Sequence, residues 1–254
     1  MPENATTQAG RSDFKDQVRA LAETVKGHPA LNNDFYKLWM GTKLPASHVE
    51  IFARNYYERV KHTPDRIALA FLHMTDLEAR AETVENLYDE MGHGNAKGVH
   101  VNLLRRFFEA LLSRLYGRDV DFGDLEAPVL ASTRTLISDA ESLFGSPHPP
   151  LACGALLAQE WHAYTQLVYV YEGARNYMDL FGEEEFHELC EYFYIHIGWA
   201  EKEHRIHSLS TAASMCRSED DMAHLKDGFD RYLALLAANW EEIYREIDGL
   251  SAQI

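Results

Sequence analysis

The chain has 254 residues, 46% of them hydrophobic, with a formal net charge of −16, three cysteines and 13 histidines. That length holds one large domain or two small ones, and the acidic balance argues against a nucleic-acid partner, whose phosphates would be repelled. Cys153, Cys190 and Cys216 are too few and too far apart for a disulfide framework or a zinc–thiolate site, and no run approaches the roughly 18 apolar residues of a membrane helix. The polar start, Met1 to Arg11, lacks the apolar core of a leader peptide, so residues 1–12 read as a disordered N-terminal segment of a cytoplasmic protein.

Gly and Pro are sparse and fall between long segments of helical periodicity. The first predicted helix runs from Asp13 to Lys26, with Phe14, Val18, Leu21, Ala22 and Val25 on its apolar face. A short helix carrying Leu31, Phe35, Leu38 and Trp39 follows Pro29, and Gly41 to Pro45 is a turn. The third spans Ala46 to His62, with Val49, Phe52, Ala53, Tyr56 and Val60 inward, and Pro64 separates it from Ile67 to His73. Asp76 caps a helix over Leu77 to Glu90, which ends at Gly92-His93-Gly94. Further helices are expected over Asn95 to Tyr116 and Ala127 to Leu143, around a polar loop from Asp119 to Glu126. After the Pro-rich break at Gly145 to Pro150 come two long helices, Leu151 to Phe181 (with a bend allowed at Gly173) and Glu183 to Met215, and then Met222 to Ile247. No β-alternation or internal repeat is visible. The reading is all-α, with residues 13–254 forming one helical bundle, because candidate ligands lie on both sides of the Pro-rich break.

Three segments place Glu and His together: Glu85 to His100, containing Glu90 and His93; Gln159-Glu160-Trp161-His162; and Tyr194 to His207, containing His196, Glu201, Glu203 and His204. Helical bundles build two-metal sites from inward Glu and His on facing helices. Bridging two metals takes a carboxylate, which imidazole cannot replace, and the lack of thiolates disfavours Cu(I) and iron–sulfur clusters. On an ideal helix His196, Ala200, Glu203 and His207 share a face. Alternatively Glu201 and His204 pair at i, i+3, and a π-bulge, for which Gly198 is a plausible place, brings His196 into line.

The blander reading weighs on each residue singly. A Glu–His pair on a helix is usually solvated, His93 between two glycines reads as a loop residue, and His162 as a supporting or surface polar group. Glu82, Glu85, Asp89 and Glu183 to Glu185 read as surface charge. Tyr164, Tyr169, Tyr171 and Tyr177 read as packing. Glu160 resists this reading, because Leu156-Leu157-Ala158 precede it on a helix that looks buried, where a carboxylate needs a partner.

At these positions the chain resembles the haem-oxygenase-like diiron oxidases and oxygenases, most of all the chlamydial death-domain-associated protein branch and more distantly the TenA and PqqC families. The resemblance rests on Phe35-Tyr-Lys-Leu-Trp39, Asn55-Tyr-Tyr57, Asp76-Leu-Glu-Ala-Arg80, Asn86-Leu-Tyr-Asp-Glu90 with His100, Glu160, and His196 with Glu201 and His204. It implies a single haem-oxygenase-like helical bundle, often a homodimer, and a metal site made by Glu90, His100, Glu160, His196, Glu201 and His204. Two departures stand out. The family's Asp is a Glu here, and four residues rather than three separate His196 from Glu201. Glu203 with His207 is the competing register.

The resemblance further implies two iron ions, O₂ as co-substrate and an external electron donor in some reactions. Family reactions include N-oxygenation of amines, desaturation or oxidative C–C cleavage of amino acids, fatty-acid decarboxylation and aminobenzoate formation. A small amine or amino acid is therefore the expected substrate. Carboxylate-binding candidates are Arg66, Arg105, Arg106 and Arg175, none in a recognisable clamp, while Lys61, Arg66 and Lys97 read equally as surface charge. The alternatives are a fatty-acid decarboxylase on the same diiron fold, a metal-free TenA- or PqqC-like enzyme, for which Cys153 or Cys190 would be the nucleophile, and a non-enzymatic interaction module.

Overall fold

In the computed structural model, secondary structure is described for residues 4–251 and side chains for residues 14–198 and 205–250. All regular structure among the described residues is helical. In chain order the α-helices are α1 (Asn4–Glu23), α2 (Asp34–Gly41), α3 (Ala46–Val60), α4 (Thr63–His73), α5 (Leu77–Glu90), α6 (His100–Tyr116), α7 (Ala131–Phe144), α8 (Pro149–Ala174), α9 (Glu183–Leu189), α10 (Glu191–Ile197), α11 (Trp199–Met215) and α12 (Glu219–Ser251). The disordered segment expected over residues 1–12 falls outside the fully described residues.

Local chemistry sets most boundaries. The Asn33 side chain caps α2 by accepting from the Tyr36 amide at 3.0 Å, and Asp76 caps α5 by accepting from the Ala79 amide at 3.0 Å. Pro149 opens α8, where a missing N–H costs nothing. Helix α7 starts four residues later than its periodicity indicates, because side chains from α3 claim the preceding backbone. Glu50 accepts from the Glu126 and Ala127 amides at 2.7 and 2.8 Å, and Asn55 accepts from the Leu130 amide at 2.8 Å. Those bonds hold residues 126–130 extended and satisfy donors that a helix would otherwise have used.

The segment expected as one helix from Glu183 to Met215 is three. It breaks at Cys190 and again at Gly198, whose ψ of −154° is extended. Gly198 therefore marks an interruption and not the π-bulge that the spacing allows. The helix expected from Leu151 to Phe181 ends at Ala174 and continues as a 3₁₀ segment, Arg175–Leu180.

Helix α8 is the axis of the molecule. It packs on α2, α4, α7, α10, α11 and most extensively α12, and Ala152 to His162 is buried without interruption. A helix apolar on all sides is one that neighbours surround. The α8–α12 approach is tight, since a Cβ on Gly154 would lie 1.9 Å from the Leu225 carbonyl oxygen.

The buried apolar residues form two clusters. One draws on α1, α4, α5, α7, α11 and the first halves of α8 and α12; the other draws on α2, α3, α6, α9, α10 and the second halves of α8 and α12. Between them along α8 lie Gln159, Glu160, His162 and Gln166, and along α12 lies Asn239, all buried. This polar belt carries the site. Gly154→Ala is expected to force α8 and α12 apart and to cost about 1–3 kcal/mol, read as a lower urea midpoint; an unchanged midpoint would show that the contact relaxes freely.

Candidate metal centre

Glu90 is the last residue of α5 and His100 the first of α6, so the loop between them decides whether they meet. Gly92, His93 and Gly94 all have positive φ, at 62°, 54° and 80°. A Cβ on Gly92 would lie 2.3 Å from the Gly98 carbonyl carbon, so the loop closes backbone on backbone. Asn95 holds the turn by accepting from the Lys97 amide at 3.1 Å, and Asn102 reaches back to the Ala96 carbonyl at 2.8 Å. The result brings His100 Nδ1 to 3.3 Å from Glu90 Oε2.

His196, near the end of α10, completes the group. Its Nε2 is 3.8 Å from Glu90 Oε1, and its ring centroid is 4.5 Å from that of His100. One donor atom from each of Glu90, His100 and His196 lies within 4.8 Å of the other two. His196 Nδ1 is 2.6 Å from the Tyr192 carbonyl. A carbonyl only accepts, so a proton sits on Nδ1 and Nε2 is the nitrogen turned toward Glu90, the atom through which an imidazole held this way binds metal. His100 Nδ1 is buried and, although close to Glu90, lies off axis and makes no hydrogen bond. An orphaned imidazole nitrogen beside a carboxylate and a second imidazole fits a ligand set for a first-row divalent metal. Burial opposes ionisation of Glu90, but the two imidazoles facing its oxygens, His100 and His196, overcome it and hold its carboxyl well below the usual carboxylate range.

Glu160 stands at the middle of α8, 5% exposed, with Oε1 accepting from Asn86 Nδ2 and Gln159 Nε2, both at 3.3 Å. Glu90, Glu160 and His196 line one cavity of about 70 Å³. A smaller cavity on the other side of Glu160, about 20 Å³, is lined by Glu82, Thr83 and Thr211 among others. His207, from the competing register, lines this second space and not the first. The side chains of Glu201, Glu203 and His204 lie outside the described residues.

The belt beside the cluster is hydrogen-bonded in sequence. Arg66 Nε donates to Gln159 Oε1 at 2.9 Å, and Gln159 donates to Glu160. Arg59 Nη2 donates to Gln166 Oε1 at 2.6 Å, and Gln166 Nε2 donates to the Tyr56 hydroxyl at 3.2 Å. Buried His162 bonds the Ala30 carbonyl at 3.2 Å, and burial, aided by the Arg59 charge, pushes its pKa down to about 3, so it is neutral.

Among the sequence candidates, Arg105, Arg106 and Arg175 pair with surface carboxylates, whereas Arg66 is buried on the cavity wall. Exposed His93 pairs with Asp89 at 3.0 Å and stays a loop residue. Arg59 escaped notice, although it sits three residues after inward Tyr56; the structure buries it and leaves Val60, the residue expected inward, partly exposed. Cys153, Cys190 and Cys216 are free and buried, and burial pushes each thiol up to about 12.

Comparison with known proteins bears on the family and the fold. The profile of a haem-oxygenase-like family described as iron-containing redox enzymes matches residues 50–237. The 4-aminobenzoate synthase of Chlamydia pneumoniae is 29% identical over 90 residues, covering 35% of this chain and 39% of that protein. The enzyme of the same name from Chlamydia muridarum is 30% identical over 100 residues, 39% of each chain. The matched stretch thus spans 39% of the length of these relatives. A CADD-like protein of unknown function from Nostoc punctiforme superposes with a TM-score of 0.71 at 18% identity, over 93% of this chain and 99% of that one. A TenA homolog from Pseudomonas syringae pv. tomato gives 0.71 at 13% identity, over 91% and 93%. The fold is therefore the haem-oxygenase-like helical bundle.

Two outcomes follow from the local geometry. Gly92→Ala is expected to cost about 1–3 kcal/mol in urea unfolding, since it meets both a positive φ and a backbone contact; wild-type stability would show that the loop reopens without penalty. Iodoacetamide at pH 8 is expected to leave all three cysteines unmodified in the native protein and to label them after unfolding. Rapid native labelling of Cys153 or Cys190 would revive a thiol nucleophile.

Proposed function

Because the chain belongs to the iron-containing redox enzyme family, we propose that it is a non-haem diiron oxidase or oxygenase acting on a small amine or amino-acid substrate, with O₂ as co-substrate. The observation that carries this reading is the buried Glu90–His100–His196 cluster with its unpartnered His100 nitrogen. In this reading Glu90, His100 and His196 would hold one iron, and Glu160, which lines the same cavity, would help hold a second with Glu201 and His204. Bound ferrous iron supplies electrons to O₂ and Lewis acidity toward its reduction products.

The chain's own residues prepare the rest. Tyr192 fixes the His196 tautomer through its carbonyl. Asn86 and Gln159 orient Glu160 by donating to its Oε1. The two apolar clusters seal the belt above and below, which keeps bulk water away from a reactive centre. The amine-type substrate is supported by the matched 4-aminobenzoate synthases, whose named product is an aminocarboxylate. A homodimer in the cytoplasm, served by an external electron donor, completes the reading.

The test is anaerobic Fe(II) titration followed by O₂ exposure, with wild type beside His100→Ala, His196→Ala and Glu160→Ala. Two irons per chain and iron-dependent O₂ consumption are expected in wild type. Each variant should bind iron at least about tenfold more weakly. Absence of both iron binding and O₂ uptake in wild type would overturn the reading.

A further inference from the structure

Arg59 is a buried cation with unused donors. It is 3% exposed, and its Nη2 donates to Gln166, but its Nε and Nη1 have no hydrogen-bond partner. Its guanidinium stacks 4.3 Å from the Trp240 ring centroid and 5.0 Å from that of Tyr56, which stabilises the charge without satisfying the N–H groups. Tyr36, whose buried hydroxyl is itself unpartnered, lies beside Arg59 and feels its charge. Burial draws the Arg59 pKa down, yet a guanidinium stays charged in proteins. Leaving such a group buried and half-bonded is expensive, and no carboxylate pairs with it among the described residues.

Neighbouring Arg66 shows the contrast. Its Nε, Nη1 and Nη2 reach Gln159 Oε1, the Arg59 carbonyl and Thr63 Oγ1 at 2.9, 3.1 and 3.0 Å, so its donors are committed to the protein. Both arginines line the 70 Å³ cavity that Glu90, Glu160 and His196 also line. At roughly 10–15 Å³ per water, that space takes about five waters or a small polar molecule. Arg66 also borders an outer groove of about 460 Å³, lined by His62, Asp65, Leu69, Ile137 and Glu141 among others, so the cavity has a neighbour through which ligand can arrive.

We propose that Arg59 is the carboxylate-binding residue of the active site, so that the substrate is a small carboxylate-bearing molecule such as an amino acid and not a simple amine. The proposal rests on the reading of Glu90 and Glu160 as metal ligands, which commits the two carboxylates of the cavity to metal and leaves Arg59 without an anion. A carboxylate satisfies the free N–H groups with charge-assisted bonds. Because the same cavity reaches His196 and Glu90, a molecule held there by its carboxylate presents its other end to the metal centre. Gln166 and Trp240 hold the guanidinium in place before ligand arrives, so little ordering is left for binding to supply.

The test uses matched probes: acetate with acetamide, propionate with propionamide, and benzoate with benzamide. Binding is read by ligand-observed NMR and calorimetry on iron-free and iron-loaded protein. In wild type at least one carboxylate is expected to bind about tenfold or more tightly than its amide, with and without iron. In Arg59→Gln, checked for folding by near-UV circular dichroism, the preference is expected to vanish while iron binding remains. Equal affinity for acid and amide in wild type, a comparison that needs no variant, would overturn the proposal. So would a preference that survives Arg59→Gln or that arises only with iron bound; either would place the carboxylate elsewhere and leave the iron reading intact. Conversely, an Arg59-dependent preference in a protein that binds no iron would support the anion site and defeat the metal reading alone.

Discussion

A buried polar belt between two apolar clusters is the constraint on which this structure turns. Most bundles of this size bury hydrocarbon throughout. Here Arg59, Arg66, Asn86, His100, Gln159, Glu160, His162, Gln166 and His196 are all nine-tenths or more buried and lie between the clusters. Each such group costs free energy unless it finds a partner. The belt is therefore tolerable only because helices from distant parts of the sequence deliver matching donors and acceptors, and this requirement fixes how α3, α5, α6, α8 and α10 meet.

Hydrogen-bond partners divide the belt into a structural part and a functional part. Arg66, Gln159 and His162 are committed, to Thr63 and backbone, to Glu160, and to the Ala30 carbonyl. Their role is to hold neighbours still. His100 Nδ1, two nitrogens of Arg59, the Tyr36 hydroxyl and Asn239 Oδ1 are left without partners. Of these, His100 Nδ1 is an imidazole nitrogen beside a carboxylate, and the Arg59 atoms are cationic N–H groups on the cavity wall. Chemistry of opposite sense at the two places suits a metal at one and an anion at the other.

Much of this was legible in the sequence. The bundle and most helix positions follow from period-3.6 patterning with Gly and Pro punctuation, and the cap at Asp76 was visible as such. Glu160 stood out on a helix that looks buried, whereas Glu90, His100 and His196 came from segments pairing Glu with His and from the family resemblance. The late start of α7 was hidden, since Glu50 and Asn55 impose it from another helix. The breaks at Cys190 and Gly198 were hidden too: a run with continuous helical propensity gives little local sign that tertiary packing will interrupt it. Arg59 was missed because an arginine near the end of a helix is usually solvated; the signal that was available is its i, i+3 register with Tyr56 and its i, i+7 register with Phe52.

The same unsatisfied atoms couple occupancy to stability. Among the described residues, Glu90, pulled far toward its ionised form, is the carboxylate that both imidazoles of the cluster face. In the unliganded protein His196 is protonated more readily than usual: burial opposes the charge, but the Glu90 carboxylate outweighs it. A metal bound there would take over that role and need His196 neutral at Nε2, so its binding would release a proton. Whatever binds the folded chain and not the unfolded one adds to its stability in proportion to the logarithm of one plus the ratio of its concentration to its Kd. A belt left incomplete by the protein alone is thus one in which ligands finish the fold, and the site's cost in the empty state is what makes its ligands matter to the folded state.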